Sequence, residues 1–281
     1  MNFFKIKSYA KINLALNIVG KNSSLHKIES IVSFVDLHDS IFIKKIKSNK
    51  HNISFNGKFS KNIGKKNTVF QLLEILEKKK LLQDKKFQIK INKRIPNQAG
   101  LGGGSMNAAS VLRYFLKKKI IKTNKKEISE ICKLIGSDVI LGLDSTNAIL
   151  TAKNEIKYFR GCRRIYTLIV KPQFGCSTKH IYSKVRKFDK AKFNQANRKM
   201  FELDYLKNMG NSLESVVFSL YPKLKKLKLY LDNLSEPIFV RMTGSGSALV
   251  AYFQSKKRCD KARNRFCKKF KNYWCIISKT I

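Results

Sequence analysis

Between the strand-like run Phe87-Gln88-Ile89-Lys90-Ile91 and the helix formers Met106, Ala108 and Ala109 lies Gly100-Leu101-Gly102-Gly103-Gly104-Ser105, with four glycines in five positions. Without side chains, successive backbone N–H groups can turn inward around an anion. The helix that follows adds unpaired N–H groups and a partial positive charge at its start. Ser105 stands where the pattern places a helix N-cap. Strand, glycine loop and helix in this order make a phosphate cradle. The loop lacks the Gly-Lys-Ser/Thr ending of a Walker loop. It also lies well inside the chain, with spacing unlike the G-x-G-x-x-G of a dinucleotide fold.

With 281 residues and 43% hydrophobic content, the chain can hold one large domain or two ordinary ones, each with a real core. Residues 1–7 alternate charge and apolar character, unlike a signal peptide, and no window approaches 18 continuous apolar residues. The six cysteines are scattered without a C-x-x-C pair, which points to reduced thiols and a cytoplasmic location. A net charge of +41 is the electrostatic footprint of a nucleic-acid binder. Yet 48 lysines stand against 11 arginines, and they spread over the whole length. Arginine is the residue of bidentate phosphate recognition, so a solvated lysine-rich surface is expected, with no nucleic acid as partner. The opposing reading, a basic RNA-binding protein, would show strongly salt-dependent RNA affinity without ATP turnover.

The N-terminal third reads as strands. Tyr9 to Ile18 alternates after Lys11 as a half-buried strand does, and Ile31–Leu37 and Ser40–Ile43 repeat the pattern. Asn67 and Thr68 open an amphipathic helix closed by Lys78–Lys80. Further helices are expected over Ser105–Lys118 and Lys126–Leu134, the second stopped by Gly136. A hairpin over 147–159 closes a first domain, 1–159. A second, 160–281, holds a strand at Tyr166–Val170, helices near 178–188, 206–221 and 223–233, and two strands around Thr243-Gly244-Ser245-Gly246. A basic helix, 256–270, and a last strand, 273–278, complete it. The whole is α+β. Ser48–Lys66 and Lys184–Lys199 read as loops, and His38 and His51 as solvated.

A cradle holds phosphate; transfer needs an acceptor, a positioned hydroxyl and charge compensation. Lys11 interrupts an apolar strand, and Asp138 precedes the apolar Val139-Ile140-Leu141. A carboxylate in such company requires a partner. Paired beside the cradle, Asp138 would take a hydroxyl proton and Lys11 would stabilise developing negative charge. An ordinary buried salt bridge accounts for the same spacing. His180, two residues before Tyr182, reads as a surface or satisfied core histidine sooner than a substrate contact, and Cys176 as a small buried residue sooner than a nucleophile.

Three segments, Tyr9-Ala10-Lys11-Ile12-Asn13-Leu14, Pro96 through Ala109, and Arg241 through Ser247, occur in the order and spacing of the GHMP small-molecule kinases, which the chain resembles over essentially its full length. Leu25-His26-Lys27-Ile28-Glu29-Ser30 and Asn211-Ser212-Leu213-Glu214 resemble the branch whose acceptor is 4-diphosphocytidyl-2-C-methyl-D-erythritol, a cytidine diphosphate compound of non-mevalonate isoprenoid synthesis. The resemblance implies a two-domain fold, the N-terminal half like ribosomal protein S5 domain 2 and the C-terminal half ferredoxin-like. It implies ATP held by Pro96, Gly100, Leu101, Gly102, Gly103, Gly104 and Ser105, with Asn67 near adenine, and phosphorylation of the 2-hydroxyl. Asp138 falls at the catalytic base and Lys11 at its partner. Asn13, His26, Tyr182, Thr243 and Gly244 fall at substrate positions, His26 on the cytosine. Mg²⁺ is expected with ATP, although no strand-borne carboxylate stands out as its ligand, and a monomer or weak homodimer is expected.

Two positions depart from the pattern. Leu25 replaces the aromatic that usually precedes the histidine, so the cytosine is expected to stack on one ring, Tyr182, with a loss of about 1–2 kcal/mol. Ile140 replaces a proline after Asp138-Val139, which removes a rigid turn and leaves the carboxylate. Homoserine, mevalonate or a sugar remain alternative acceptors within the same superfamily.

Overall fold

In the computed structural model, which describes residues 2–22 and 25–281, the alternating run after Lys11 forms β1 (Phe4–Lys21). It is not the half-buried strand expected. Residues 10–18 are buried without interruption, so the polar members Lys11, Asn13 and Asn17 all need partners. The two short strands expected next are one, β2 (His26–Ile46), because His38 and Asp39 continue the extended backbone.

The chain divides into two compact units. The first comprises Met1–Lys11, Leu37–Asn97 and Gly102–Ser145. It contains β3 (Asn52–Asn56), α1 (Thr68–Lys78), β4 (Lys86–Asn92), α2 (Gly103–Lys117) and α3 (Lys125–Ile135). β4 pairs antiparallel with β2, from Ser40↔Asn92 to Ile46↔Lys86. β3 lies in a segment expected to be loop; it alternates exposed and half-buried residues and pairs parallel with β4. Its polar composition hid it, since only Ile53 and Phe55 carry the apolar face. The core packs Leu72, Leu73 and Leu76 of α1 and Val111, Leu112 and Phe115 of α2 against Ile41, Ile43, Ile89 and Ile91. Asn67 caps α1 as expected, its side chain accepting from the amides of Val69 and Phe70.

The second unit comprises Ile12–Asp36, Gln98–Leu101 and Thr146–Ile281. The hairpin β5 (Asn147–Leu150) and β6 (Ile156–Phe159) continues from the N-terminal part of β2, at Ser30↔Leu150 to Val32↔Ala148. β7 (Tyr166–Lys171), β8 (Phe239–Met242), β9 (Leu249–Phe253) and β10 (Trp274–Lys279) form an antiparallel sheet in the order β10-β7-β9-β8. The helices are α4 (Thr178–Ser183), α5 (Leu203–Lys207), α6 (Leu213–Leu220), α7 (Pro222–Asp232) and α8 (Lys256–Lys269). Leu224, Leu227 and Leu231 of α7 and Ala262 and Phe266 of α8 share a core with Leu168, Leu249 and Ala251.

Two helices differ from expectation. The first stops at Ser183 rather than running to Phe188. The helix expected over 206–221 is broken between α5 and α6. There Gly210 O accepts from Leu16 N, Ser212 N donates to Leu16 O, and the Asn211 amide donates to Met242 O and Gly244 O at 2.8 Å each. Tertiary partners take the hydrogen bonds a continuous helix would have made for itself. No helix among the described residues is long and apolar enough to cross a membrane.

Candidate active site

In the first unit the glycine loop begins its helix earlier than the sequence suggests. Gly102, at φ 68, is the N-cap of α2, so Ser105 lies inside the first turn and does not cap it. The first intrahelical hydrogen bond is Met106 N to Gly102 O at 2.9 Å. The amides of Gly103, Gly104 and Ser105 precede that bond, and no side chain caps them. The left-handed conformation that frees three amides is one that only glycine adopts at little cost. Thr68 Oγ1 donates to Gly104 O at 2.7 Å, which ties the start of α1 to the loop.

Lys11 passes directly beside this turn. A Cβ on Gly102 would lie 2.8 Å from Lys11 Cγ, so the missing side chain makes room for the lysine stem. Lys11 Nζ stands 3.0 Å from Asp138 Oδ2, with the lysine side chain 5% and the carboxylate 30% exposed. Asp138 follows α3 and Gly136 and precedes a short 3-10 turn, Ile140–Leu143, which begins at the position where the pattern has proline. A nearly buried ammonium and a partly open carboxylate thus meet beside unpaired amides.

Residues that sequence reasoning missed hold the loop in place. Asp39, fully buried, accepts from the Lys93 ammonium, from Arg94 N and Ile95 N at 2.7 and 2.9 Å, and from the Asn107 amide at 3.1 Å. One carboxylate therefore joins the segment leading into the loop to the helix leading out of it. The signal available beforehand was an acidic residue within an apolar strand. His51, expected to be solvated, is also held: its Nδ1 accepts from Phe87 N at 3.0 Å, and its ring stacks on Phe87.

In the second unit, Asn13 N donates to Thr243 Oγ1 at 3.0 Å, and the Asn13 amide donates to Ser30 Oγ at 2.8 Å. Thr243 Oγ1 in turn donates to Gly100 O at 3.2 Å. Gly100 has φ 71, and a Cβ there would lie 2.0 Å from Thr243 O, so the backbones of the two glycine-rich segments approach too closely for a side chain at this position. Gly244, at φ 53, turns the second of them. Buried Arg241 donates to the carbonyls of Leu14, Leu206 and Met209, and Glu214 accepts from Met242 N at 2.7 Å. Burial raises the Glu214 carboxyl above its ordinary range and lowers the Arg241 guanidinium.

His26 lies at the start of β2 among aromatic rings. Tyr182 is 5.2 Å away and Phe188 6.4 Å away between ring centroids. Beside the expected Tyr182, the structure thus places a second ring, Phe188, near His26, while Leu25 is 73% exposed. Phe188 escaped notice because it lies in a polar segment without regular structure. Burial first, and then the charge of Lys21, lower the His26 pKa below its ordinary value of 6.5. The imidazole is therefore neutral at neutral pH, with one nitrogen accepting and one donating. His180 is exposed. Cys176 is buried, which pushes its thiol up to about 11 and leaves it inert.

Residues 67–151 match the family description GHMP kinases N terminal domain, and residues 184–272 match GHMP kinases C terminal. The 4-diphosphocytidyl-2-C-methyl-D-erythritol kinase of Pelagibacter ubique is 57% identical over 281 residues, covering all of both chains. The chain belongs to the GHMP kinases. GHMP kinases use ATP as phosphate donor. The enzyme of the same name from Clostridium perfringens strain 13 is 32% identical, over 99% of this chain and 98% of that one. The crystal structure of a 4-(cytidine 5'-diphospho)-2C-methyl-D-erythritol kinase superposes with a TM-score of 0.80 at 22% identity, covering 99% and 100% of the two chains. A homoserine kinase from Cytophaga hutchinsonii superposes at 0.71 with 15% identity, over 100% and 95%. At those identities the structures establish the shared α+β GHMP fold.

Proposed function

We propose that this GHMP kinase transfers the γ-phosphoryl group of ATP to the 2-hydroxyl of 4-diphosphocytidyl-2-C-methyl-D-erythritol, a step in non-mevalonate isoprenoid synthesis. The Lys11–Asp138 contact beside Gly102 carries the reaction class. The segment Pro96–Ser105 holds the ATP phosphates, with the amides of Gly103, Gly104 and Ser105 as donors and the α2 dipole as the attracting charge. Asn67 acts at the adenine end through the start of α1, which its side chain caps. Asp138 accepts the proton of the acceptor hydroxyl at a carboxylate oxygen as the hydroxyl oxygen bonds to the γ-phosphorus and the bond from that phosphorus to the bridging oxygen of ADP breaks. Lys11 orients the carboxylate through their 3.0 Å contact, and its charge offsets the negative charge that accumulates on the transferring group.

The aromatic flank of His26 carries the choice of acceptor within the superfamily. A neutral imidazole with two ring neighbours suits a pyrimidine base, with stacking on Tyr182 and Phe188 and hydrogen bonds from His26. Homoserine and mevalonate present no ring to stack. Asn13, Thr243 and Gly244 supply polar contacts for the remainder of the acceptor.

Mg²⁺ fits the donor set. No group of three histidine, cysteine or acidic residues capable of holding a metal occurs among the described residues. Magnesium at nucleotide sites takes most of its oxygens from phosphate and water, with one or two from protein. The Ser105 hydroxyl would be the hard oxygen donor from the protein here, the Asp138 carboxylate being engaged by Lys11. Bound with ATP, the ion would neutralise phosphate charge.

The test is incubation of the purified protein with ATP, Mg²⁺ and a panel of alcohols: the cytidine compound, homoserine, mevalonate and galactose. Mass spectrometry should find one added phosphate on the cytidine compound alone. Phosphorylation of another alcohol in its place would reject the acceptor, and no phosphorylation of any would reject the activity.

A further inference from the structure

The segment that carries Phe188 has no helix or strand of its own from Val185 to Phe193, so no backbone ladder fixes its path. Its hydrogen bonds go elsewhere. Glu29, fully buried, accepts Lys192 N at 2.7 Å on one carboxylate oxygen and Phe193 N at 3.0 Å on the other. The Asn17 amide donates to the first of those oxygens at 2.8 Å and orients the carboxylate. Four residues upstream of Phe193, Asp189 N donates to Ile18 O at 2.7 Å, and Ser212 Oγ donates to the Asp189 carboxylate. Phe193 itself is fully buried. Phe188 is thus the exposed residue immediately before a clamped stretch.

A buried carboxylate that accepts two consecutive amides is an expensive group to leave unpaired, and it specifies the position of the backbone it holds. Glu29 also lies three residues beyond His26 on β2. One strand therefore carries both the imidazole and the anchor of the segment whose ring stands beside it.

We propose that Glu29 is a positioning residue for the acceptor pocket: by accepting the amides of Lys192 and Phe193 it fixes the 185–193 segment so that the Phe188 ring flanks His26. This rests on the reading of that pocket as a cytosine site. Glu29 itself touches no substrate and acts through the segment. Glu29→Gln keeps the size of the side chain but replaces one acceptor oxygen with an NH₂ group, which faces a backbone N–H and cannot pair with it. The segment then loses its register, and the ring is no longer held in stacking position.

Steady-state kinetics of wild type, E29Q, F188A and the double variant, varying the cytidine acceptor and ATP separately, test this. E29Q and F188A are each expected to raise the acceptor KM about tenfold, the scale of one base–aromatic contact, while kcat and the ATP KM stay within about twofold. The double variant should be no worse than F188A alone, because both remove the same contact. An unchanged acceptor KM in E29Q, or multiplied effects in the double variant, would overturn the proposal while leaving the enzymatic reading intact. Absence of acceptor turnover in the wild type would instead overturn that reading, and the proposal with it. Should E29Q fail to fold, amide hydrogen exchange on the wild type decides: the Lys192 and Phe193 amides should exchange far more slowly than those of Lys190 and Ala191. Equal rates would refute the clamp.

Discussion

Gly102→Ala tests the link between the phosphate loop and the Lys11–Asp138 pair. The new methyl would start 2.8 Å from Lys11 Cγ and 3.2 Å from Lys11 Cε, and ordinary contact begins near 3.4 Å. The lysine stem must therefore retreat by about 0.6 Å, the difference between 2.8 and 3.4 Å. Lys11 is nearly buried, so it has little room to rotate away, and the ammonium moves off its 3.0 Å contact with Asp138. A misplacement on the order of 1 Å in a reacting constellation costs about 10²-fold, so kcat is expected to fall by roughly 10- to 100-fold. A second effect is separable. Alanine in the left-handed conformation at φ 68 costs about 1–2 kcal/mol, which corresponds to a fall of roughly 2–8 °C in Tm for a chain of this size. Gly64→Ala, with nothing within 4 Å of its Cβ, serves as control and should change stability by less than about 0.5 kcal/mol. The assay is coupled ADP release together with thermal unfolding, repeated on a Lys11→Ala background. If the loop acts through the lysine, the kcat penalty of G102A largely disappears there. Wild-type kcat in G102A, or an equal penalty with and without Lys11, would refute the reasoning.

Asp138→Asn removes the proton acceptor and should lower kcat by about 10²–10⁴-fold, with ATP affinity by calorimetry little changed; a near-normal rate would remove Asp138 from the chemistry. Because burial and Lys21 hold the His26 pKa below 6.5, the acceptor KM should be flat through neutral pH. It should rise only as the pH falls into the range where the imidazole gains its proton, and H26A should abolish that dependence. A rise already above about pH 7 would contradict a neutral imidazole. Asp39→Ala strands the buried Lys93 ammonium and leaves two amides without their acceptor, so denaturant unfolding should show a loss of about 3–5 kcal/mol. A loss under about 1 kcal/mol would mean that the loop has other anchors.

The glycine loop, its flanking strand and helix, and the Lys11 and Asp138 candidates were legible because each departs sharply from local expectation: too many glycines, a lysine in an apolar strand, a carboxylate before an apolar run. The N-cap was misplaced by three residues because side-chain preference favours serine, whereas the backbone turn at Gly102 needs no side chain at all. The break between α5 and α6 and the early end of α4 were illegible for a different reason. Leu16, Met242 and Gly244, distant in sequence, supply the hydrogen bonds at that break, and no local pattern announces them.

By itself the sequence marked Gly100–Ser105 as a candidate phosphate cradle, determined that the chain would be α+β, and singled out a lysine and an aspartate as a candidate pair. These follow from backbone freedom, hydrophobic periodicity and the cost of unpaired charge, all of which act over a few residues. Tertiary structure alone decided that Lys11 runs past Gly102 to reach Asp138, and that Asp39 holds both sides of the loop. It alone decided that His26 has Phe188 as well as Tyr182 for company, and that Glu29 accepts the amides of Lys192 and Phe193 beyond Phe188. These contacts join residues up to 164 positions apart, as with Glu29 and Phe193. They depend on where buried polar groups find their partners once the core has formed, which periodicity does not encode.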